Sequence, residues 1–177
     1  MRVRRVVTGQ TEDGRSVFVS DEQVDPITLQ LLPGAAFHRL WGSDEAATLP
    51  ADGAAPLPPI YFPPAAGFRF GLFTLGPDSV TLPPDLDVGA ALRELTEKLP
   101  GLAEAMEPDH PGMHTTDTVD FDLVLSGEVW LELDGGAEVH LQAGDCVIQN
   151  GTRHAWRNRS QEPCVIAVTL IGAARAT

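Results

Sequence analysis

This sequence is short of positive charge, and of lysine above all. Lys98 is its only lysine, and 12 lysines and arginines stand against 25 acids, a formal net charge of -13 over 177 residues. Affinity for phosphate backbones comes from basic side chains that displace counterions, so nucleic acids and anionic membranes are poor partners. Cysteine is nearly as scarce. Cys146 and Cys164 are too few for a disulfide scaffold and fit no zinc-knuckle spacing; each stands in an apolar strand-like run and is expected to be a buried core thiol. No run approaches the ~20 apolar residues of a membrane span. Met1-Arg2-Val3-Arg4-Arg5 lacks the apolar core of a secretory leader, and a cytoplasmic location is expected. Helix-turn-helix patterning, a phosphate-cradling glycine loop and a Ser-His-Asp order are missing too. The chain does have apolar residues at 43%, enough for one core, and residues 1–177 are expected to form a single domain.

Alternation and turn residues make most of the chain β. Val3 to Thr8 and Ser16 to Ser20 flank Glu12-Asp13-Gly14-Arg15, a hairpin pattern, and residues 1–33 are expected to supply N-terminal strands and dimer contacts. Residues 34–110 read as a Pro-rich connector followed by a strand, Phe68 to Leu75, and a helical insertion. Within it, Leu57-Pro58-Pro59 and Phe62-Pro63-Pro64 enforce extended backbone. Asp87 can cap a helix over Asp87 to Leu99, where Val88, Leu92, Leu95 and Leu99 recur at helical spacing before Pro100-Gly101 stops it. A short helix, Leu102 to Met106, follows. From 111 onward six short strands are separated by turn signals every eight to twelve residues, which predicts a sandwich or barrel.

Chemistry concentrates in two stretches. In Gly112-Met113-His114-Thr115-Thr116-Asp117-Thr118-Val119-Asp120-Phe121-Asp122, parity puts His114, Thr116, Thr118, Asp120 and Asp122 on one face. Val119, Phe121, Leu123 and Leu125 take the other. Two same-face aspartates in a strand with an apolar second face need a reason, because a buried carboxylate costs several kcal/mol (about 3–5 when unpaired) unless paired or bound to a cation. The second stretch runs Gly144 to Asn158, with His154, Trp156 and Asn158 on one face and Arg153, Arg157 and Arg159 on the other. Residues 111 to 152 hold eight acids and no Lys or Arg, so an inward meeting with these arginines would be electrically complementary.

These two stretches resemble the paired motifs of the cupin superfamily. Laid on them, the first motif's histidine falls on His114, its second on Thr116, its glutamate on Asp120 and its closing glycine on Gly127. The second motif's glycines, histidine and asparagine fall on Gly144, Gly151, His154 and Asn158. Thr116 and Asp120 depart from the pattern, Gln149 stands where proline is common, and Asp122 takes a place usually apolar or aromatic. The resemblance covers 111–172. It implies an all-β fold, a cupin-type double-stranded β-helix (jelly-roll) barrel with extra N-terminal strands and one or two short helices. It further implies a divalent transition metal (Fe, Mn, Ni or Zn) held by His114, Asp120 and His154, and a homodimer formed by exchange of N-terminal strands.

On this reading the chain is a metal-dependent enzyme acting on an oxygenated small molecule, as an isomerase, dehydratase or decarboxylase, or with Fe or Ni as a dioxygenase. Asp122 and His110 are the expected proton-transfer residues. Thr116, Trp156, Asn158, Tyr61 and Arg69 are the expected ligand contacts. The alternative is a metal-free barrel that binds or senses a ligand without turnover. His140 reads as a surface histidine.

Overall fold

A computed structural model describes residues 1–54 and 56–176. Strands β1 (Val3–Gln10) and β2 (Ser16–Val24) form a two-stranded antiparallel ribbon paired with no other strand among the described residues. It leans on the body through Arg5, whose guanidinium donates to the Leu40 carbonyl at 2.9 Å and lies 6.0 Å from the Trp41 ring.

The barrel is two facing sheets. The larger has the order β3 (Ala36–Ser43), β4 (Phe68–Leu75), β10 (Cys164–Gly172), β5 (Thr118–Ser126), β8 (Cys146–Asn150). The smaller has β7 (Glu138–Gln142), β6 (Glu128–Glu132), β9 (Ala155–Arg157). All pairings are antiparallel. Val124, Val129, Leu131, Leu141, Cys164 and Ile166 pack between the sheets as one core cluster. The helices α1 (Val88–Lys98) and α2 (Leu102–Ala105) close one end of the barrel, where Leu95, Leu99 and Leu102 join Leu29, Ala35 and Phe37 in a second cluster.

The expected jelly-roll barrel with extra N-terminal strands and two short helices is the observed fold. Asp87 caps α1, its carboxylate accepting from the Ala90 N–H at 2.9 Å. The helix buries Ala91 and Leu95, and Leu99 just after it is buried as well, whereas Val88 and Leu92 face solvent.

Three expectations need correction. The connector contains strand β3, which the sequence hid because a bulge between Arg39 and Trp41 breaks its alternation. Cys146 is exposed, since it faces outward on β8; only Cys164 is buried. The arginines that flank His154 do not meet acids inside the barrel. Arg153 pairs with Glu107 (2.6 Å) and Asp134 (2.8 Å), Arg157 with Glu132 (2.7 Å) and Arg159 with Glu138, in contacts at the rim.

Candidate functional site

The two core clusters meet around a cavity of about 160 Å³. One wall comes from the helical end: Phe37, Tyr61, Phe62, Leu102 and Met106. The other is the inner face of the barrel: Phe73, Leu75, Trp156, Val168 and Leu170. The aromatic residues brace one another, with Phe37 stacked on Phe73 at 4.9 Å and Tyr61 edge-on to both Phe37 (5.9 Å) and Phe62 (4.9 Å). The Tyr61 N–H donates to the Pro100 carbonyl at 2.8 Å, which pins this segment to the end of α1.

Four polar side chains break this apolar lining: His114, His154, Asp120 and Asp122. Parity on β5 places both aspartates inward, with Thr118 and Val124 on the same face and Phe121, Leu123 and Leu125 outside. Their neighbours explain their electrostatics. Asp122 lies between Val168 of β10 and Val147 of β8, and Asp120 between Leu170 and Gln149. Burial among apolar residues, and then the charge of Asp120, push the Asp122 carboxyl up to about 7. Burial also raises Asp120, to about 6, against a hydrogen bond with Thr118 that favours the ionised form. Asp120 is 4% exposed and its Oδ1 has no hydrogen-bond partner among the described residues. An orphaned, desolvated acceptor of this kind is costly unless something else comes to meet it.

The two histidines are held together by their backbones. The N–H of each donates to the carbonyl of the other at 2.9 Å, and the ring centroids lie 4.1 Å apart. His114 Nδ1 donates to the Gly112 carbonyl at 3.0 Å and His154 Nδ1 to the Thr152 carbonyl at 2.9 Å. With the proton fixed on Nδ1, each neutral ring keeps its lone pair on Nε2. Burial lowers both rings, and the neighbouring His114 adds to the effect on His154, which falls to about 4. Both are therefore neutral at neutral pH, as acceptors. The Trp156 ring stands edge-on to His154 at 6.1 Å.

The structure thus gathers five expected residues at one cavity: His114, His154, Asp120, Asp122 and Tyr61, with Trp156 as a sixth. It places four elsewhere. His110 is exposed on its loop, 3.2 Å from Glu107, and is no candidate proton donor to this cavity. Arg69 is buried but spent on its own surroundings, donating to the carbonyls of Ser43, Ile60 and Phe68 and to Asp44. Thr116 hydrogen-bonds Thr118 at 2.8 Å instead of lining the cavity, because regular β5 geometry begins only at Thr118. Asn158 is wholly buried and structural: its amide donates to the Leu75 and Glu162 carbonyls and its oxygen accepts from Ser160.

The expected metal ligands His114, Asp120 and His154 all line this cavity, but among the described residues no three His, Cys, Asp or Glu side chains stand close enough together to form a group that could hold a metal ion. Sequence reasoning missed the apolar lining, above all Phe37, Phe73 and Met106. Phe73 had a signal in its strand parity; Phe37 lay in the unrecognised strand. Met106 reaches the site because its backbone bridges to His114, a pairing outside the regular strands.

Residues 103–170 match the family model described as Cupin domain. Over 101 residues the chain is 38% identical to the Oryzines biosynthesis cluster protein J of Aspergillus oryzae, a match covering 52% of this chain and 56% of that protein. Over 91 residues it is 35% identical to the Phomopsin biosynthesis cluster protein C' of Diaporthe leptostromiformis, covering 51% and 42%. The chain spans about half the length of the curated relatives it matches. Among solved structures, the polyketide cyclase RemF from Streptomyces resistomycificus aligns with a TM-score of 0.45 at 16% identity, over 83% of this chain and 72% of that one.

Proposed function

We propose, from the match of residues 103–170 to the Cupin domain model and from the side chains gathered there, that the cavity is an acid–base site that moves a proton on an oxygenated small molecule, as an isomerase or dehydratase does. The observation that carries the reading is the inward pair Asp120 and Asp122, set in an apolar cavity that also holds two neutral imidazoles. Carboxyls at about 6 and about 7 hold roughly one proton between them near neutrality, which is the state that proton transfer needs. The names of the relatives, which place them in biosynthesis clusters, support a small-molecule substrate. The net charge of -13 supports the same class over nucleic acid or an anionic membrane.

The roles follow from the protonation states. Ionised Asp120, with its unpartnered Oδ1, takes a proton from the carbon next to a carbonyl. Protonated Asp122 donates to the carbonyl oxygen as the double bond shifts, giving an enol. The imidazole Nε2 atoms accept from a substrate hydroxyl and orient it. Return of the proton at the other carbon completes an isomerisation; loss of a hydroxyl as water completes a dehydration. A three-ligand metal site does not fit the side chains as they stand, and no step here runs through a metal.

A simple aromatic hydroxy-ketone tests this. 2-Hydroxyacetophenone in D2O should exchange its CH2 protons faster with the wild-type protein than in buffer, by NMR. Asp120→Asn should remove the acceleration and Asp122→Asn should cut it at least about 100-fold, the usual worth of one acid–base group. Exchange at the buffer rate in the wild type would contradict the reading.

We also propose a homodimer. The outer face of the larger sheet exposes Phe70, Phe121, Ile148 and Ile171, and the ribbon of β1 and β2 exposes Val17, Phe18 and Val19. A two-stranded ribbon is marginal by itself, and both surfaces gain by burial against a second copy.

A further inference from the structure

The polar end of the cavity carries a charge inventory that restricts its ligands more sharply than reaction class does. Among the described residues no lysine or arginine lines it. The arginines near it in sequence or space are committed elsewhere: Arg153 and Arg157 to rim carboxylates, Arg69 to carbonyls and Asp44, and Arg39 to the carbonyls of Pro58, Pro59 and Ile60. What faces the cavity is acceptor-rich: two imidazole lone pairs and two carboxyl groups, one with a buried oxygen that has no partner among the described residues. An anionic group placed there would lose its hydration, find no cation, and lie beside carboxyls that repel it. A hydroxyl instead supplies the donor these acceptors lack. The rest of the lining is apolar, and five of its side chains are aromatic: Phe37, Phe73, Tyr61, Phe62 and Trp156. Such side chains favour a planar ring in offset or edge-on contact.

We infer that the ligand is an uncharged aromatic or conjugated molecule that enters ring-first against these side chains and presents a hydroxyl to His114, His154 and Asp120, and that carboxylate-bearing molecules of the same shape are refused. This deepens the acid–base reading of the same cavity and rests on it for the site, but it concerns which head group binds, not whether a proton moves.

The experiment compares three molecules of one shape, 4-methylphenol, 4-methylbenzoate and 4-methylbenzylamine, by calorimetry at pH 8 on the full chain. Binding is located by the histidine ring signals of His114 and His154 in NMR. The expected result is saturable binding of 4-methylphenol that shifts both histidines, with 4-methylbenzoate at least tenfold weaker. Asp120→Asn with Asp122→Asn should narrow that gap by restoring benzoate binding; if the double variant is unfolded by circular dichroism, Asp122→Asn alone is compared. Benzoate bound as tightly as the phenol, with or without added Mn2+, overturns the inference. So does the amine as the preferred ligand, which would assign the site to cations. Phenol binding without proton exchange on the hydroxy-ketone leaves the inference standing and removes only the proton-transfer reading; exchange with benzoate preferred does the reverse.

Discussion

At the scale of single residues, the same burial that raises Asp122 lowers His154, and the two act on stability with opposite sign. Asp122 rises from 3.8 to about 7, so the folded state binds its proton more tightly than the unfolded chain. Stability is therefore lost as pH climbs from about 4 to about 7, and the loss persists above that. His154 falls from 6.5 to about 4, so the unfolded chain binds the proton more tightly and stability is lost as pH falls through that interval. Asp122→Asn should leave stability near pH 4 unchanged and raise it at pH 8, by up to about 4 kcal/mol if the whole shift is recovered. Urea unfolding at the two pH values checks this. Equal effects at both would mean that the substitution acts through packing and that the carboxyl is not held protonated. Much of this was legible in the sequence, since two alternate aspartates beside apolar neighbours already implied desolvated carboxyls. The fates of Arg69, Thr116 and Asn158 were not, because parity names a face and says nothing of what a long or branched polar side chain finds there.

At the scale of elements, β5 shows how the fold delivers the site. One nine-residue strand hydrogen-bonds β10 and β8 on its two edges, presents both aspartates inward and keeps Phe121 and Leu123 outside. A register slip of one residue would exchange those faces, so the turn after the strand matters. Gly127 holds φ at +76°, and a Cβ there would stand 2.6 Å from the Pro163 carbonyl oxygen. Gly127→Ala should cost at least about 2 kcal/mol through strain and clash, read as a lower urea midpoint, and should reduce the hydroxy-ketone exchange with it. An unchanged midpoint would show that the turn does not fix the strand. Here the sequence was informative, because the motif spacing placed this glycine and the strands on both sides of it. Strand β3 was opaque for a physical reason: its bulge shifts the alternation midway, and its inward Phe37 is recognisable only once Phe73 is known to pair with it.

At the scale of the whole molecule, the acidity that excludes phosphate-rich partners also enters the site. Many acids are paired at the rim or face solvent, but Asp120 and Asp122 are enclosed with no cation among the described residues lining their cavity, and apart from the two imidazoles that lining is apolar. The exposed apolar face of the larger sheet is the other global feature. If a second copy covers it, sedimentation should give the dimer mass, and Phe121→Asp should shift the protein toward monomer without loss of β structure. A monomer over a wide concentration range would contradict the dimer. Neither result bears on whether the carboxyls share a proton, on which the proposed function depends. That is measured most directly by following the side-chain carboxyl carbons of Asp120 and Asp122 by 13C NMR from pH 3 to pH 9, with Asp120→Asn and Asp122→Asn for assignment. The pair is expected to titrate between about 6 and about 7, so that near neutrality one carboxyl is protonated while the other is ionised. Titration of both near the ordinary aspartate value would contradict the shared proton and the acid–base site with it.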